Sequence, residues 1–427
     1  MESKTENPAG TLNMEEEIIT NLDHPRQLEK LYQDNKRAFK KAFNQLYPGI
    51  QEKTSVQIWH ERLNFESGEI SWGNRKDWIF ILAAAFLAGL IAKIPDFVAL
   101  DPDYFYPRNL AFIVFPFLSA YFAWKQKLSP KRVLPLLSVI FISALYINLL
   151  PDNPESDTLI LACIHLPLLL WGVLGLAFVG GDPNNPYRRL DFLRYNGDLV
   201  VMTTIIGIAG GLLTAITIGL FELIDLKIED LYFRYFGIWG LAAAPILGTY
   251  LVQTNPQLVN NVSPVIARVF TPLVLAMLII YLIAVIYTGK DPYNDREFLL
   301  IFNALLIGVM AIILFSIAES SKTGGSSIRI ILLLALSGVT ILLNGIALSA
   351  ILFRISEWGI TPNRLAVLGG NILILTNLLL VSYRLFKSIR DKNEIEQVEK
   401  SIASYLPVYV LWAIVVTFIF PVLFRFN

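Results

Sequence analysis

Charged residues are scarce in this chain. Asp, Glu, Lys and Arg account for 16% of its 427 residues, hydrophobic residues account for 55%, and the mean hydropathy is +0.55. Soluble globular domains carry about 25% charged residues, so this composition excludes an ordinary soluble protein. It indicates a polytopic membrane protein, and the lipid bilayer is its predicted partner. The formal net charge is zero, and without a basic excess we expect no nucleic acid as a partner.

Cysteine and the common catalytic motifs are also missing. Cys163 is the only cysteine, which excludes an intramolecular disulfide and a cysteine-based metal cage. The sequence contains no Walker glycine loop, no GxSxG, no HExxH and no paired His-Cys spacing. The parts needed for phosphoryl transfer, acyl transfer and zinc chemistry are therefore absent. We predict that the protein is not an enzyme and has no catalytic residues, cofactor or metal.

Three loops combine aromatic and acidic residues, at residues 101–107, 228–236 and 290–297. Because Tyr and Phe favour the membrane–water interface, we interpret these loops as an interfacial belt, with a ligand mouth as the alternative. Asp291, Asn294, Asp295 and Glu297 could suggest calcium. Their spacing lacks the glycine and the alternation of an EF-hand loop, so we do not predict a calcium site.

The first 76 residues are polar and charged, without the apolar core of about 7–15 residues that a secretory signal peptide requires. We expect the first apolar span to act as its own insertion signal. Residues 1–22 are predicted to be loose, followed by one amphipathic helix from Pro25 to Tyr47 and a short helix around Trp59. Two small helices bury too little for an independent domain. Residues 1–76 are therefore predicted to be a cytoplasmic amphipathic segment on the membrane face or on the protein's own loops; a partner-docking module is the alternative.

From Trp78 onward the sequence contains eleven apolar stretches. A hydrocarbon core of about 30 Å needs about 20 helical residues, so we interpret these stretches as membrane spans. They cover residues 78–94, 109–124, 133–150, 158–179, 199–223, 237–252, 265–287, 298–318, 328–352, 365–383 and 404–424. The prediction is an all-α polytopic transmembrane domain of about eleven spans over residues 77–427.

Basic residues in the short loops indicate the orientation. Lys and Arg are frequent between spans two and three, four and five, eight and nine, and ten and eleven, whereas the charged residues of the loop at residues 151–158 are all acidic. Because Lys and Arg favour cytoplasmic loops, we predict the N-terminus inside and Asn427 outside. The alternation is clear in the first half of the chain and weaker in the second half.

Small residues recur at four-residue spacing in spans five and six. Gly207 and Gly211 form a GxxxG pair in span five, and Gly240, Ala244 and Gly248 repeat the spacing in span six. Helices in lipid gain packing energy where small residues let their backbones approach closely. We predict that these five residues form a helix-packing seam at the centre of the bundle.

Few polar side chains fall inside the predicted spans, where their cost makes them candidates for function. His165 lies about seven residues into span four, beside Pro167, and could donate to a carbonyl that the proline frees; a proton relay is the alternative. Spans eight to ten contain four amides that could bond between helices or coordinate a substrate or an ion: Asn303, Asn344, Asn371 and Asn377. Asn371 and Asn377 are about 120° apart on the helix, so both cannot point into one pore.

Five segments resemble a bacterial membrane family. They are Arg194-YNGDLVV, Gly210-GLLTAITIGLF, Gly240-LAAAPILGTYLV, Phe270-TPLVLAMLIIYLIAVIY and Trp358-GITPNRLAVLGGNILILTNL. Together they are similar to the proteins grouped as domain of unknown function 4153, over roughly residues 75–425. The resemblance implies a bacterial inner membrane location and no catalytic residues. Its most specific part ends at Arg364, a candidate interfacial residue that holds the loop on the membrane surface or contacts headgroups.

These observations predict a non-enzymatic membrane protein that serves the envelope as a scaffold or sensor. The alternative is a secondary transporter for a small neutral or apolar solute, built on broken helices at Pro245 and Pro272 and on the amides of spans eight to ten. The near absence of midplane acids argues against ion-coupled transport. The odd number of spans and the lack of a visible repeat argue against the usual inverted-repeat architecture. A homo-oligomer and another membrane protein both stay open as partners.

Overall fold

The structure is a computed structural model, which describes residues 8–34, 36–51, 53–64, 73–223, 226–260, 262–288, 293, 296–320, 327–389 and 395–426. Every regular element within these residues is a helix, so the predicted all-α class is confirmed. The chain divides into two compact units, residues 1–71 and 72–427. The boundary that we predicted lies a few residues later, between residues 76 and 77.

The first unit contains four helices around a core of its own. They are α1 Pro8–Thr20, α2 Pro25–Asp34, α3 Lys36–Ile50 and α4 Thr54–Asn64. Ile18, Phe39 and Phe43 are fully buried, and the Trp59 ring packs on Phe39 at a centroid distance of 5.3 Å. The Arg62 guanidinium lies 4.6 Å from the Trp59 ring centroid, covering one edge of this core.

Three predictions for this unit are wrong: the loose N-terminal segment, the single helix from Pro25, and the end of that helix at Tyr47. Residues 8–20, predicted to be loose, form α1, because Ile18 gives this otherwise polar segment an apolar contact with the core. The helix predicted from Pro25 to Tyr47 is two helices, and the second continues through Pro48 to Ile50. Since four helices rather than two share the core, the unit has more buried apolar surface than the sequence indicated.

The second unit is a bundle of long helices joined by short connections. Its helices are α5 Arg75–Ala92, α6 Ile94–Val98, α7 Pro102–Lys125, α8 Pro130–Leu149, α9 Asp157–Val179, α10 Pro186–Glu222, α11 Glu229–Tyr232, α12 Ile238–Thr254, α13 Gln257–Asn260, α14 Val262–Thr288, α15 Arg296–Ser320, α16 Ser327–Trp358, α17 Pro362–Ser388, α18 Ile395–Ile414 and α19 Phe420–Leu423. One π-helical turn, Phe233–Gly237, joins α11 to α12, and another, Val415–Ile419, joins α18 to α19. Four of the long helices begin at a proline, whose fixed φ suits the first helical position.

Each of the eleven predicted spans overlaps one long helix of this unit. Among the described residues, eight helical stretches are long and apolar enough to cross a membrane, and they involve α8, α9, α10, α11 with α12, and α15 to α18. A shorter apolar stretch, Val269–Val285, lies in α14. The chain is therefore a multi-pass membrane protein; the count of eleven and the orientation of the termini stay predictions.

The predicted breaks at Pro245 and Pro272 are wrong. α12 continues through Pro245, and α14 continues through Pro272. A membrane helix tolerates an internal proline where its neighbours support the freed backbone groups. Neither helix therefore provides the interrupted backbone that the transporter alternative assumed.

The two largest hydrophobic cores of the second unit differ in composition. An aromatic core lies among α5, α7, α9, α10 and α12, and an aliphatic core lies among α14 to α18. The N-terminal half of α10 packs against members of both groups, namely α12 on one side and α15 and α18 on the other. This helix therefore connects the two halves of the bundle.

The predicted seam between spans five and six is wrong for three of its five residues. A Cβ atom added at Gly207, Gly211 or Gly240 would meet nothing within 4 Å. Ala244 is buried, and a Cβ atom at Gly248 would lie 2.9 Å from Thr203 Oγ1. Close packing between α10 and α12 is therefore limited to the Gly248 end.

The two helices diverge because α12 packs on a different neighbour at its other end. A Cβ atom added at Gly89 of α5 would lie 2.3 Å from Trp239 Cε3, so the Trp239 ring rests directly on the α5 backbone. None of residues 204–222 of α10 is buried. Four-residue spacing of small residues indicates which face of a helix another helix can approach closely. It does not indicate which helix packs there.

Candidate functional site

The candidate site is formed by buried polar side chains of α10 and α15 to α18. It has two parts. The charged cluster consists of Arg194, Asp198, Glu319 and Glu399, and the amide group consists of Asn303, Asn344, Asn371 and Asn377. Polar groups among apolar helices are costly unless they are paired, so this set is where a specific role is to be sought.

Arg194 ties three helices together. Its Nε atom donates to the Ala318 carbonyl of α15 at 2.7 Å, and its Nη1 atom donates to Asp191 Oδ1 at 2.9 Å on its own helix. Its Nη2 atom lies 3.7 Å from Glu399 Oε1 of α18. A planar guanidinium offers five N–H donors in a fixed fork, which lets one side chain donate two hydrogen bonds and face a third group, Glu399, as an ion pair.

Gly197 brings α15 close enough for this contact. A Cβ atom at Gly197 would lie 1.8 Å from Phe315 Cε2, so no larger residue fits there while Phe315 keeps its position. Gly197 follows Arg194 by three residues and therefore lies on nearly the same face of α10. Within the sequence Arg194-Tyr-Asn-Gly-Asp, Arg194 thus provides the polar contacts to α15 and α18. Gly197 provides the space that lets α15 come close.

Three carboxylates of the cluster are almost fully buried. Glu319 is 2% exposed, Glu399 is 6% exposed and Asp198 is 7% exposed. A buried ion pair is weak evidence for stability, but removing one partner of such a pair costs about 3–5 kcal/mol. Arg194 lies within ion-pair distance of Glu399, so this contact fixes where α10 and α18 meet.

Further contacts extend the junction of α10 and α18. The Tyr187 hydroxyl donates to Glu396, which also accepts from Lys400 Nζ at 2.9 Å. The Arg189 guanidinium donates to the Ala403 carbonyl at 3.3 Å. The first and third turns of α10 thus carry polar contacts to α18.

We did not predict the charged cluster from the sequence. Its members lie at the ends of apolar stretches, where a charged residue is ordinarily assigned to the membrane surface. The one available signal was the Arg194-YNGDLVV segment, which we named for its resemblance and without a role. Nothing in the spacing indicates that residues near 194, 319 and 399 meet.

The amide group joins helices in separate pairs. Asn371 Nδ2 donates to Asn303 Oδ1 at 2.7 Å, which links α17 to α15. Asn377 Nδ2 donates to the Tyr409 hydroxyl at 2.9 Å, which links α17 to α18. Asn371 and Asn377 therefore have different neighbours, as their angular separation requires.

Asn344 differs from the other amides. It is fully buried in α16, and neither its Oδ1 nor its Nδ2 atom has a hydrogen-bond partner among the described residues. Ser337 and Thr340 are fully buried on the same face, and Ser337 accepts from the Ser382 hydroxyl of α17 at 2.9 Å. The Ser337 and Thr340 hydroxyls both donate to backbone carbonyls of α16, so Asn344 is the group on this face whose donor and acceptor both lack a partner among the described residues.

His165 bonds within its own helix. Its Nδ1 atom lies 2.9 Å from the Leu161 carbonyl oxygen. The proline at 167 frees the carbonyl four residues before it, that of Cys163, so the expected partner was wrong by two residues. The contact is an i to i−4 bond of half-buried imidazole to backbone and brings His165 no ionisable partner.

Arg364 caps the end of α16. Its Nη1 atom donates to the carbonyls of Trp358 at 2.8 Å and Gly359 at 2.6 Å, and its guanidinium lies 5.6 Å from the Trp358 ring centroid. Thr361 Oγ1 accepts from the Arg364 backbone N–H at 3.3 Å, which caps α17. The Trp358 to Arg364 segment is therefore a self-contained turn, which supports a loop-holding role for Arg364.

Within the described ranges, no group of three or more His, Cys, Asp or Glu side chains could hold a metal ion. The acidic segment considered for calcium is not covered: Asp291, Asn294 and Asp295 lie outside the described residues, as does the side chain of Glu297.

A comparison of the chain with family models, with curated proteins and with solved structures finds no match in any of the three. The resemblance to domain of unknown function 4153 therefore stays a prediction that rests on the five sequence segments.

Proposed function

We propose that this chain is a non-enzymatic scaffold or sensor of the bacterial inner membrane. The observation that carries the proposal is the mutual pairing of polar side chains between the helices of the second half. Asn303 with Asn371, Asn377 with Tyr409, and Ser337 with Ser382 each join two helices. These groups hold the helices to one another, and a rigid framework is what a scaffold requires.

A transporter requires the opposite property. Its binding site must be reached from each side in turn, by rocking of one part of the bundle against another. Movement between α10 and α15 or α18 would break the contacts of Arg194, and movement between α17 and α15 would break the Asn371–Asn303 pair. The same contacts stabilise a fixed arrangement of α10 and α15 to α18.

One observation favours the alternative, a secondary transporter for a small neutral solute. The fully buried amide of Asn344 has no partner for either of its polar atoms within the described residues. A solute with one donor and one acceptor would satisfy both atoms. Transport would then require water to reach Asn344 from at least one side of the membrane.

Cysteine accessibility separates the two functions. In a Cys163→Ser background, Asn344→Cys and Thr340→Cys are treated with a membrane-impermeant maleimide in intact and in permeabilised cells. The scaffold predicts no labelling at either position. Glu357→Cys, at the exposed end of α16, is the positive control. Labelling of Asn344→Cys in either preparation, at a wild-type membrane level, would replace the scaffold proposal by the transporter.

Eleven spans with the N-terminus in the cytoplasm are part of the proposal. Alkaline phosphatase fused after Asn427 is expected to be active and one fused near Ser129 inactive, because the enzyme folds only outside the cytoplasm. The reverse pattern would show that the orientation is inverted. Two inactive fusions would indicate an even number of spans.

A further inference from the structure

A cavity of about 260 Å³ lies where the ends of three helices meet. Asp77 of α5, Tyr121 and Lys125 of α7, and Gln253 and Thr254 of α12 are among its lining residues. Pockets for small molecules typically measure about 300–1,000 Å³, so this cavity suits a compact ligand. The loop charges assign these helix ends to the cytoplasmic side.

The cavity contains one acid and one base. Lys125 Nζ donates to Asp77 Oδ1 at 2.8 Å, and the side chains are 38% and 7% exposed. The other carboxylate oxygen of Asp77 makes no hydrogen bond within the described residues, and an ammonium has two further donors. A ligand with a net negative charge would meet Asp77, and one with a net positive charge would meet Lys125. The charges therefore favour a ligand that carries both signs.

The remaining lining groups suit such a ligand. Gln126 Nε2 donates to the Phe178 carbonyl at 3.1 Å, which leaves the Gln126 side-chain oxygen as an acceptor. Gln253 and Thr254 add an amide and a hydroxyl. The Tyr121 ring is buried beside Lys125, whose Nζ atom lies 5.7 Å from the ring centroid. Aromatic faces attract ammonium groups, so the Tyr121 ring helps to hold the Lys125 ammonium at the cavity.

We propose that this cavity binds a compact primary ammonium linked to a phosphate, with the ammonium on the free oxygen of Asp77 and the phosphate on Lys125. This chemistry has two sources: the headgroup of phosphatidylethanolamine and free phosphoethanolamine. The primary ammonium is essential, because it must donate a hydrogen bond to a carboxylate. A trimethylated ammonium has the same charge and no N–H donor.

The test is native mass spectrometry of the full-length protein after exchange into detergent with equal amounts of phosphatidylethanolamine and phosphatidylcholine. We expect one phosphatidylethanolamine to be retained in preference by about tenfold or more, which corresponds to a charge-assisted hydrogen bond. Asp77→Asn and Lys125→Gln should abolish the preference. Lys131→Gln, at an exposed lysine in the first turn of α8, is the matched control and should keep it.

Gln253→Ala leaves the ion pair intact and should weaken binding by a few fold. It decides the outcome if the charge variants do not fold. A parallel arm measures the thermal midpoint of lipid-stripped protein with free phosphoethanolamine or phosphocholine. A rise with phosphoethanolamine alone assigns a soluble source, whereas selective lipid retention assigns the headgroup. Equal retention of both lipids together with no difference between the two free compounds would overturn the proposal.

Discussion

The two halves of the membrane bundle are held together by different forces. In the first half, aromatic rings fill the centre: the Phe122 ring centroid lies 4.8 Å from that of Phe178 and 5.0 Å from that of Tyr195. In the second half the core is aliphatic, and polar contacts such as Asn371 with Asn303 join the helices across it. Aromatic packing depends on how well the shapes of the helix surfaces fit. Hydrogen bonds between side-chain amides depend on the direction in which donor and acceptor point.

This difference explains which contacts are costly to lose. Loss of one ring from the aromatic core leaves a cavity that the surroundings fill only in part, and the cost in stability grows with the volume that remains. A polar contact between helices is modest in lipid, about 0.6 kcal/mol on average, because the separated helices find other partners. Buried charge is the exception, because a buried charge that loses its partner destabilises the fold by several kcal/mol, about 3–5.

The largest effect is expected for Arg194→Ala. The substitution leaves Glu399 without its arginine and removes the bond to the Ala318 carbonyl, so we expect a loss of about 3–5 kcal/mol. A fall in the thermal midpoint in detergent measures it. Arg188→Ala is the control, because Arg188 is exposed on the same helix. Equal midpoints for the two variants would mean that the charged cluster does not join the halves.

A smaller loss, about 3 kcal/mol, is expected for Phe122→Ala. Its ring contacts those of Phe178 and Tyr195, so truncation leaves a cavity in the aromatic core. Combined with Phe178→Ala, the loss should be less than additive, because both substitutions enlarge the same cavity. Strict additivity in detergent melting would contradict a shared ring cluster.

Gly197→Ala should cost about 1–3 kcal/mol by overpacking, because the added methyl group meets the Phe315 ring. Gly211→Ala is the matched variant on the same helix and meets nothing within 4 Å. It should be neutral or stabilising by up to about 1 kcal/mol through helix propensity. Both are read from thermal midpoints. A lower thermal midpoint for Gly211→Ala than for Gly197→Ala would contradict this prediction. It would indicate that another helix packs on residues 204–222 of α10.

The smallest effect is expected for Asn371→Leu, about 0.6 kcal/mol. A double-mutant cycle with Asn303→Leu isolates the pair, and its coupling energy should not exceed about 1.7 kcal/mol. A coupling as large as the loss from Arg194→Ala would remove the distinction between amide and charge contacts.

Helix positions could be predicted from the sequence because they depend on local properties. An apolar stretch of sufficient length forms a helix in lipid whatever its neighbours are, since its backbone must be satisfied internally. For this reason each predicted span overlaps a helix. The helical state of residues 8–20 was missed because it depends on a distant contact, between Ile18 and the core that Phe39 and Phe43 form.

The choice of neighbours could not be predicted. Gly207 and Gly211 have the spacing of a packing motif, yet the close contacts of α10 are at Gly197 with Phe315 and at Thr203 with Gly248. Spacing shows which faces can approach, and partner selection depends on side chains far apart in the sequence. The charged cluster could not be predicted for the same reason, since its members on α10, α15 and α18 are at positions 194, 319 and 399, far apart in the sequence.

The contacts of Arg194 impose an order on biogenesis. Its acceptor Ala318 lies 124 residues further along the chain, and Glu399 follows later still. During synthesis α10 therefore enters the membrane before either partner has been made. Until then the guanidinium has to stay at the water-facing end of the helix, solvated by headgroups or water. A chain that ends before α15 would keep the contact of Arg194 with Asp191 on α10 and lack its contacts with α15 and α18.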